Sequence, residues 1–500
     1  MLRLADLPIL VVLMGLAALA MLLPAGHAAV ARDFEAARAF LYAGLILLTV
    51  TGMIAIATAN RRHRLSARSH LSVLVGAYAV IPLALALPIL QAQPGVTFWQ
   101  AWFEMLSSFT TTGASLFPPA DLSPTLHLWR AIVGWLGGFY ILVMALAVLA
   151  PLNLGGVEVA TGRSPGQGLG RATPITRIAD PGRRITHYAL MLFPAYGGLT
   201  LALWIALLMA GESGLVALCH AMGTLATSGI SPVDGLADTA SGRLGEVLVA
   251  VVLLAAVSRR VLQGLSGLER RLWTFDPELA TAGVILLAVV TAVFATQVAT
   301  AFAPMQIGAA VQILWGALFT GLSFLTTTGF VSPDWSRSEA WSGLPMPGLV
   351  LMALALLGGG VATTAGGVKL LRVYALFRHG QYELEKLVEP ASVGGLGQAV
   401  RQIRGEGAHY AWVFVVLFAM TIAGVTALLT LCAIELEPAL ALTLAALTST
   451  GPLSAVALDE PVLWSDLGPA PQAILAVAMV VGRLETLAVL AFLAPSWWRR

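Results

Sequence analysis

One short phrase recurs four times in this 500-residue chain: Phe109-Thr110-Thr111-Thr112-Gly113-Ala114, Ala226-Thr227-Ser228-Gly229-Ile230, Leu325-Thr326-Thr327-Thr328-Gly329-Phe330 and Leu447-Thr448-Ser449-Thr450-Gly451-Pro452. Each copy is a run of hydroxyl side chains closed by glycine. Each follows an apolar segment too short to cross a bilayer comfortably and precedes a longer one. Roughly a hundred residues separate successive closing glycines, too many for a solenoid unit and about right for two membrane helices with a loop between them. A fold that accepts this chain must place four equivalent helix, short helix, helix units.

Lipid is the solvent in which they fold. Charged residues make up 11% of the chain and hydrophobic residues 58%, whereas soluble domains carry about 25% charged residues. Spans are expected at 7–24 and 39–59. Flanking pairs follow at 71–90 and 126–149, 188–210 and 246–257, 279–298 and 349–371, and 410–431 and 473–493. Small residues at 25–29 follow the first span, but its length favours an uncleaved helix over a signal peptide. The segments 97–108, 213–225, 311–325 and 438–447 are too short for a ~30 Å hydrocarbon core and read as re-entrant.

Arginine and lysine fix the orientation. Arg61, Arg62, Arg64 and Arg68, then Arg163, Arg171, Arg177, Arg183 and Arg184, then Arg259, Arg260, Arg270 and Arg271 fall on connections that alternate to one side. Lys369, Arg372, Arg378, Lys386, Arg401, Arg404, Arg499 and Arg500 do the same. That side is cytoplasmic, with both termini on it, while Arg32, Arg38, Arg243 and Arg337 are outer exceptions. Acids gather outside: Glu104, Asp121, Glu212, Asp234, Asp238, Asp334, Glu339, Glu435, Glu437, Asp459, Glu460 and Asp466. Such a field concentrates cations, or acids simply populate loops from which arginine is excluded. Glu212 and Glu437 also suit the N-terminal ends of the short helices they begin.

Four hydroxyl-glycine strings around one axis suit a dehydrated monovalent cation, which needs oxygen ligands in place of water. Glycine lets consecutive carbonyls turn inward, and the short helices direct their negative ends at the same point. Irregular backbone at membrane depth is otherwise costly. The candidate cation-binding residues are Thr111, Thr112, Gly113, Thr227, Ser228, Gly229, Thr327, Thr328, Gly329, Ser449, Thr450 and Gly451. A single such string reads as a helix C-cap; four in one frame read as a pore.

With Trp135-Leu136-Gly137-Gly138, Gly358-Gly359-Gly360, Thr364-Ala365-Gly366-Gly367-Val368-Lys369 and Gly482-Arg483-Leu484-Glu485 added to the four strings, the chain resembles the Trk/Ktr/HKT superfamily of potassium transporters. It is most similar to the bacterial Trk-type membrane subunit, over nearly its whole length. The resemblance implies an all-α polytopic membrane protein of the inner membrane: two leading helices (1–70) and pore repeats 71–185, 186–276, 277–406 and 407–500. It also implies a homodimer with one pore per chain, potassium as the transported ion, no cofactor, and gating by a separate cytoplasmic nucleotide-binding (TrkA-like) ring. Glycine at all four filter positions resembles the potassium-preferring members; serine at the first accompanies sodium transport. Phe139-Tyr140 in the first repeat and Ser449-Thr450 in the fourth depart from the family pattern and bear on selectivity.

Glycines at 358–360, 366 and 367 with Thr363 and Thr364 weaken the helix in mid-span, by about 1 kcal/mol per glycine relative to alanine. The resemblance makes Gly358, Gly359, Gly360, Thr363, Thr364, Gly366 and Gly367 a gate loop beneath the filter; close packing of small residues is the plain alternative. Arg483 lies within an apolar run, where a charge costs at least ~2.5 kcal/mol and must face protein or water. The family places it just under the filter, against the alternative of an ion pair with Glu485.

Other functions find no support. A net charge of +2 gives no nucleic-acid footprint, and Cys219 and Cys432 read as packing residues. His220 reads as hydrogen-bonded rather than ligating. No nucleophile, base and orienter constellation marks an enzyme. The glycine-rich stretch 155–170 lacks the strand and helix of a nucleotide loop. The basic inner face suits docking to a regulatory ring and equally suits anionic lipid. The alternative transport reading is a sodium- or proton-coupled carrier with alternating access, a fold that often shows inverted repeats, whereas these repeats all begin on one side.

Overall fold

The computed structural model describes residues 8–58, 67–152, 154–157, 159, 181–233, 235–237, 239–265, 276–300, 307–344, 346–388, 407–486 and 489. Arg61, Arg62, Arg64, Arg163, Arg171, Arg177, Arg270, Arg271, Arg401, Arg404, Arg499, Arg500, Asp234 and Asp238 lie outside them. So do most of the glycine-rich stretch 155–170 and the end of the last expected span. Among the described residues the secondary structure is helical, without a β-strand.

Helices α1 (Ile9–Ala20), α2 (Leu22–Val30) and α3 (Phe34–Thr58) lead the chain. The first quarter is α4 (Ala67–Ala92), α5 (Phe98–Phe109) and α6 (Pro124–Met144); the second is α7 (Pro181–Met209), α8 (Gly214–Ala226) and α9 (Gly242–Val257), followed by α10 (Arg259–Leu265). The third is α11 (Pro277–Thr300), α12 (Ile307–Leu325), α13 (Trp335–Ser342), α14 (Gly348–Leu357) and α15 (Leu370–Val388). The fourth is α16 (Ala408–Leu431), α17 (Leu436–Leu447), α18 (Leu453–Val456) and α19 (Pro469–Leu484). The short helix α5 starts where its sequence says it should: Thr97 and Gln100 form a reciprocal capping box. Ser123 with Pro124 opens α6 by side-chain capping and a proline at the first helical position.

Each short helix packs inside its own quarter and against one helix of the quarter before: α6 packs on α8, α9 on α12, α14 on α17 and α19 on α5. The last contact closes the circle. The leading helices stay outside, with α1 and α3 on α4 and α2 on α6.

Among the described residues eight helices are long and apolar enough to cross a membrane, and the chain is a multi-pass membrane protein. The expected set of ten spans is corrected in two ways. The segment expected as 311–325 is a 19-residue helix, about 28 Å long, so the third re-entrant helix is not short. The inner helices α9, α14 and α19 are shorter than a span: a break at Ser258 separates α9 from α10, and α14 stops at Gly358. That second break is the one expected from the glycines, and helix resumes only at Leu370.

Candidate functional site

All four hydroxyl-glycine copies sit at the C-terminal end of a helix, α5, α8, α12 and α17, and turn in the same way. The residues two before the closing glycines, Thr111, Thr227, Thr327 and Ser449, have φ of 58°, 51°, 58° and 58°, in the left-handed region that side chains avoid. The next residue then sends its N–H back into the helix: Thr112 to the Ser107 carbonyl (2.9 Å), Ser228 to Gly223 (2.9 Å), Thr328 to Ser323 (2.9 Å) and Thr450 to Ala445 (2.8 Å). A planar trans peptide that points its N–H at the helix points its carbonyl the other way. The carbonyls of Thr111, Thr227, Thr327 and Ser449 therefore face away from the helix ends.

The hydroxyl run has a second use. Thr110, Thr326 and Thr448 bond back to the carbonyls of Leu106, Leu322 and Leu444 and to the hydroxyls of Thr112, Thr328 and Thr450 at 2.9, 3.1 and 3.0 Å. Those three later hydroxyls brace the turn, while the Thr112 and Thr450 carbonyls accept the N–H groups of Gly451 at 2.6 Å and Leu453 at 3.0 Å. The buried hydroxyls of Thr111 and Ser449, by contrast, have no hydrogen-bond partner.

The glycines mark where one copy meets the next. A Cβ added to Gly113 would lie 1.9 Å from the Ser228 carbonyl oxygen, one on Gly229 2.2 Å from that of Thr328, and one on Gly451 2.6 Å from that of Thr112. A Cβ on Gly329 would lie 2.9 Å from Pro452. The four copies thus form a closed ring in chain order. Gly113, Gly229 and Gly329 have positive φ (74°, 62° and 86°), but Gly451 does not. Its N–H donates to the Thr112 carbonyl at 2.6 Å, and its own carbonyl accepts from the Trp464 indole at 3.3 Å. Sequence reasoning missed Trp464, since nothing in the local pattern ties it to the ring. Behind the first copy, Tyr78, Phe109 and Tyr140 pack as a wall with ring separations of 5.2 to 5.7 Å.

Above the ring lies a cavity of about 560 Å³ lined by all four closing glycines and by Arg130. The expected acidic rim is only partly there. Glu104 is buried, paired with Arg130 at 2.5 Å, and accepts the Leu116 N–H at 3.1 Å. Asp334 is buried against Arg243 and Arg337, which explains two of the outer arginines. Glu212 accepts the N–H groups of Ser213 and Ser241. Glu339, Glu437 and Asp459 do gather around one outer pocket, where burial and then Asp459 raise the pKa of Glu339. His220 bonds the Ser231 hydroxyl at 2.8 Å, as a packing residue should. Among the described residues no His, Cys, Asp or Glu group could hold a metal ion.

Breaking the Glu104–Arg130 pair leaves an uncompensated buried charge, a loss of about 3–5 kcal/mol. The Glu104→Ala protein should therefore melt well below the wild type in detergent. An unchanged Tm would refute a buried pair that matters to the fold.

Below the ring the helix break forms a loop, 358–369, whose buried residues reach back to the copies. The Gly366 N–H donates to the Thr327 hydroxyl at 2.7 Å, and the Thr364 hydroxyl donates to the Leu225 carbonyl at 3.0 Å. A Cβ on Gly366 would lie 2.0 Å from the Thr448 carbonyl oxygen. Arg483 is buried and its Nη1 donates to the Thr364 carbonyl at 2.7 Å. Its alternative partner is engaged elsewhere: Glu485 pairs with Arg372 at 2.7 Å, and Arg372 also stacks 3.7 Å from the Phe414 ring centroid. Lys369, like Arg372 assigned by charge to a cytoplasmic connection, is buried and donates to the Ala365 carbonyl. Of the loop residues, Gly358 ends α14 with φ 72°, and Gly359 accepts from the Leu370 N–H at 2.9 Å. Thr363 bonds the Gly360 carbonyl at 2.8 Å. The cavities against the loop are small, about 10 Å³ beside Thr363 and Thr364 and about 30 Å³ beside Gly366, Gly367 and Arg483.

Known proteins are similar to this chain in sequence and fold. The family model TrkH, described as a cation transport protein, matches residues 36–235 and 272–499. The Trk system potassium uptake protein TrkH of Salmonella typhimurium is 28% identical over 486 residues, 96% of each chain. That of Halomonas elongata is 30% identical over 457 residues, 88% of each. The crystal structure of the potassium transporter TrkH from Vibrio parahaemolyticus superposes with a TM-score of 0.78 at 25% identity, covering 99% of both chains. With its closed ring of four copies and a family match along most of its length, the chain belongs to the TrkH family of cation transport proteins.

Proposed function

We propose that this protein takes up potassium across the bacterial inner membrane, through a selectivity filter made of its four hydroxyl-glycine copies. One observation carries the reading: four backbone-equivalent turns, each at a helix C-terminus, meet in a closed ring in chain order. Such a ring presents rows of carbonyl oxygens to one axis, the chemistry that replaces the hydration shell of a monovalent cation. The filter residues are Thr111, Thr112, Gly113, Thr227, Ser228, Gly229, Thr327, Thr328, Gly329, Ser449, Thr450 and Gly451. The partnerless hydroxyls of Thr111 and Ser449 are oxygens that a cation would satisfy. The relatives' names, potassium uptake proteins, support the choice of ion.

Loop 358–369 is the gate in this reading, with Gly358, Gly359, Gly360, Thr363, Thr364, Gly366 and Gly367 as its moving part and Arg483 as its latch. Small cavities under the ring, against the large one above it, support a closed state. Quarters 71–185, 186–276, 277–406 and 407–500 are the pore repeats, and 1–70 the two leading membrane helices. The working unit is a homodimer with cytoplasmic termini, regulated by a cytoplasmic TrkA-like nucleotide-binding ring. The relatives' designation as parts of a Trk system supports a second subunit. So does α15, which leaves the gate loop and exposes Phe377, Leu384, Leu387 and Val388.

Growth of potassium-uptake-deficient cells at low potassium tests the reading, with the chain expressed alone and with a candidate ring. Rescue is expected from the wild type and its loss from Gly329→Ser. Rescue that ignores this substitution would overturn the filter assignment.

A further inference from the structure

We infer that Glu278 positions the gate loop in its closed form and ties it to the junction between α9 and α11. The inference rests on the gating role proposed above for loop 358–369. Glu278 is the second residue of α11 and is 4% exposed. Its Oε1 accepts the Val361 N–H at 2.7 Å. Next to it, the Gly360 N–H donates to the Ala256 carbonyl in the last turn of α9 at 3.0 Å.

The backbone of Glu278 is itself held from the other side. Asp276 Oδ1 accepts the Glu278 N–H at 3.0 Å, while Asp276 Oδ2 accepts the Ser258 hydroxyl and lies 3.9 Å from Arg260 Nε. Ser258 is the break between α9 and α10. A continuous line of contacts therefore runs from Ser258 and Arg260 through Asp276 and Glu278 to Val361.

The loop's remaining tethers lie a few residues further on and have a different origin. Residues 364 and 366 are held by Leu225, Thr327 and Arg483, all at the ring or just beneath it. The N–H groups of residues 360 and 361 both donate to the α9–α11 junction, and the Val361 side chain is also buried in the core beside Gly156. A displacement of that junction is delivered to the loop at 360 and 361, and Glu278 is the one side chain that delivers it. Burying a carboxylate is unfavourable unless hydrogen bonds compensate, and a backbone N–H donating to a charged acceptor makes a stronger bond than a neutral pair.

The test is potassium-driven rubidium flux through the purified full chain in liposomes. Glu278→Ala removes the acceptor, so the closed loop loses a bond to a charged group, and flux should rise about tenfold. Glu278→Gln keeps an oxygen at the same reach and should hold flux at the wild-type level, a rescue that simple loss of buried charge would not give. Arg483→Ala is run in parallel. A rise with Arg483→Ala and none with Glu278→Ala overturns this inference and leaves the gate standing; no rise with either overturns the gate. If the alanine protein is not monodisperse, Glu278→Asp carries the test. Its carboxylate is withdrawn by one methylene from Val361, so flux should rise, and wild-type flux would overturn the inference.

Discussion

Potassium uptake by Gly113→Ser is expected to fall at least tenfold at equal expression, while the ratio of sodium to potassium flux rises. The new Cβ would sit 1.9 Å from the Ser228 carbonyl oxygen, a backbone atom that cannot swing aside as a side chain can. Gly113 also has φ of 74°, and a side chain held in the left-handed region costs about 1–3 kcal/mol. Both penalties are relieved only by moving the first copy away from the second. That movement displaces carbonyls whose spacing suits one ion size, so selectivity should change together with rate. Its direction follows the superfamily resemblance, in which serine here accompanies sodium transport. Parallel rubidium and sodium uptake in cells lacking other potassium systems measures both. A wild-type ratio with reduced rate would mean that the contact supports the fold and not the selection.

Arg483→Ala should have the opposite sign and increase flux. The guanidinium donates to the Thr364 carbonyl at 2.7 Å, and its residue lines the small cavity under the loop. A unit charge about 8 Å from a passing cation, at an effective dielectric of about 20, raises its energy by about 2 kcal/mol, a factor of about 30 in rate. Loss of the bond to the loop adds to this. Arg483→Lys keeps the charge without the forked donor geometry, and it should leave most of the electrostatic barrier in place. Uptake kinetics unchanged in the alanine protein would count against a pore-facing arginine.

Much of the architecture was legible because it is written in local periods. The four strings, the helices before them and the break after Leu357 each depend on residues adjacent in sequence. Ring closure does not: it depends on Gly451 meeting Thr112 and α19 meeting α5 across the length of the chain. The same holds for the buried charges. Glu104, Asp334, Lys369 and Arg372 have the composition of a water-facing rim, but partners brought by the fold neutralise them inside it. Counting charges could not show that Lys369 and Arg372 are buried against Ala365 and Glu485. The start of α12 was missed because Gly308, Ala309 and Ala310 in its first turn are small and carry little apolar signal. Within the helix, polar Gln312 and Trp315 are absorbed by Arg337 and Glu246.

The closing glycine of the fourth copy alone lacks a positive φ, with Gly451 donating to Thr112 and its carbonyl taken by Trp464. In an assembly of identical subunits such a deviation would be imposed on every quadrant at once. Here a single reading frame encodes all four, and each quadrant is free to drift. One quadrant can serve as an anchor while the other three keep their geometry. Mutations in this protein therefore titrate the opening by quarters, and a substitution tolerated at Gly451 predicts nothing about the same substitution at Gly113.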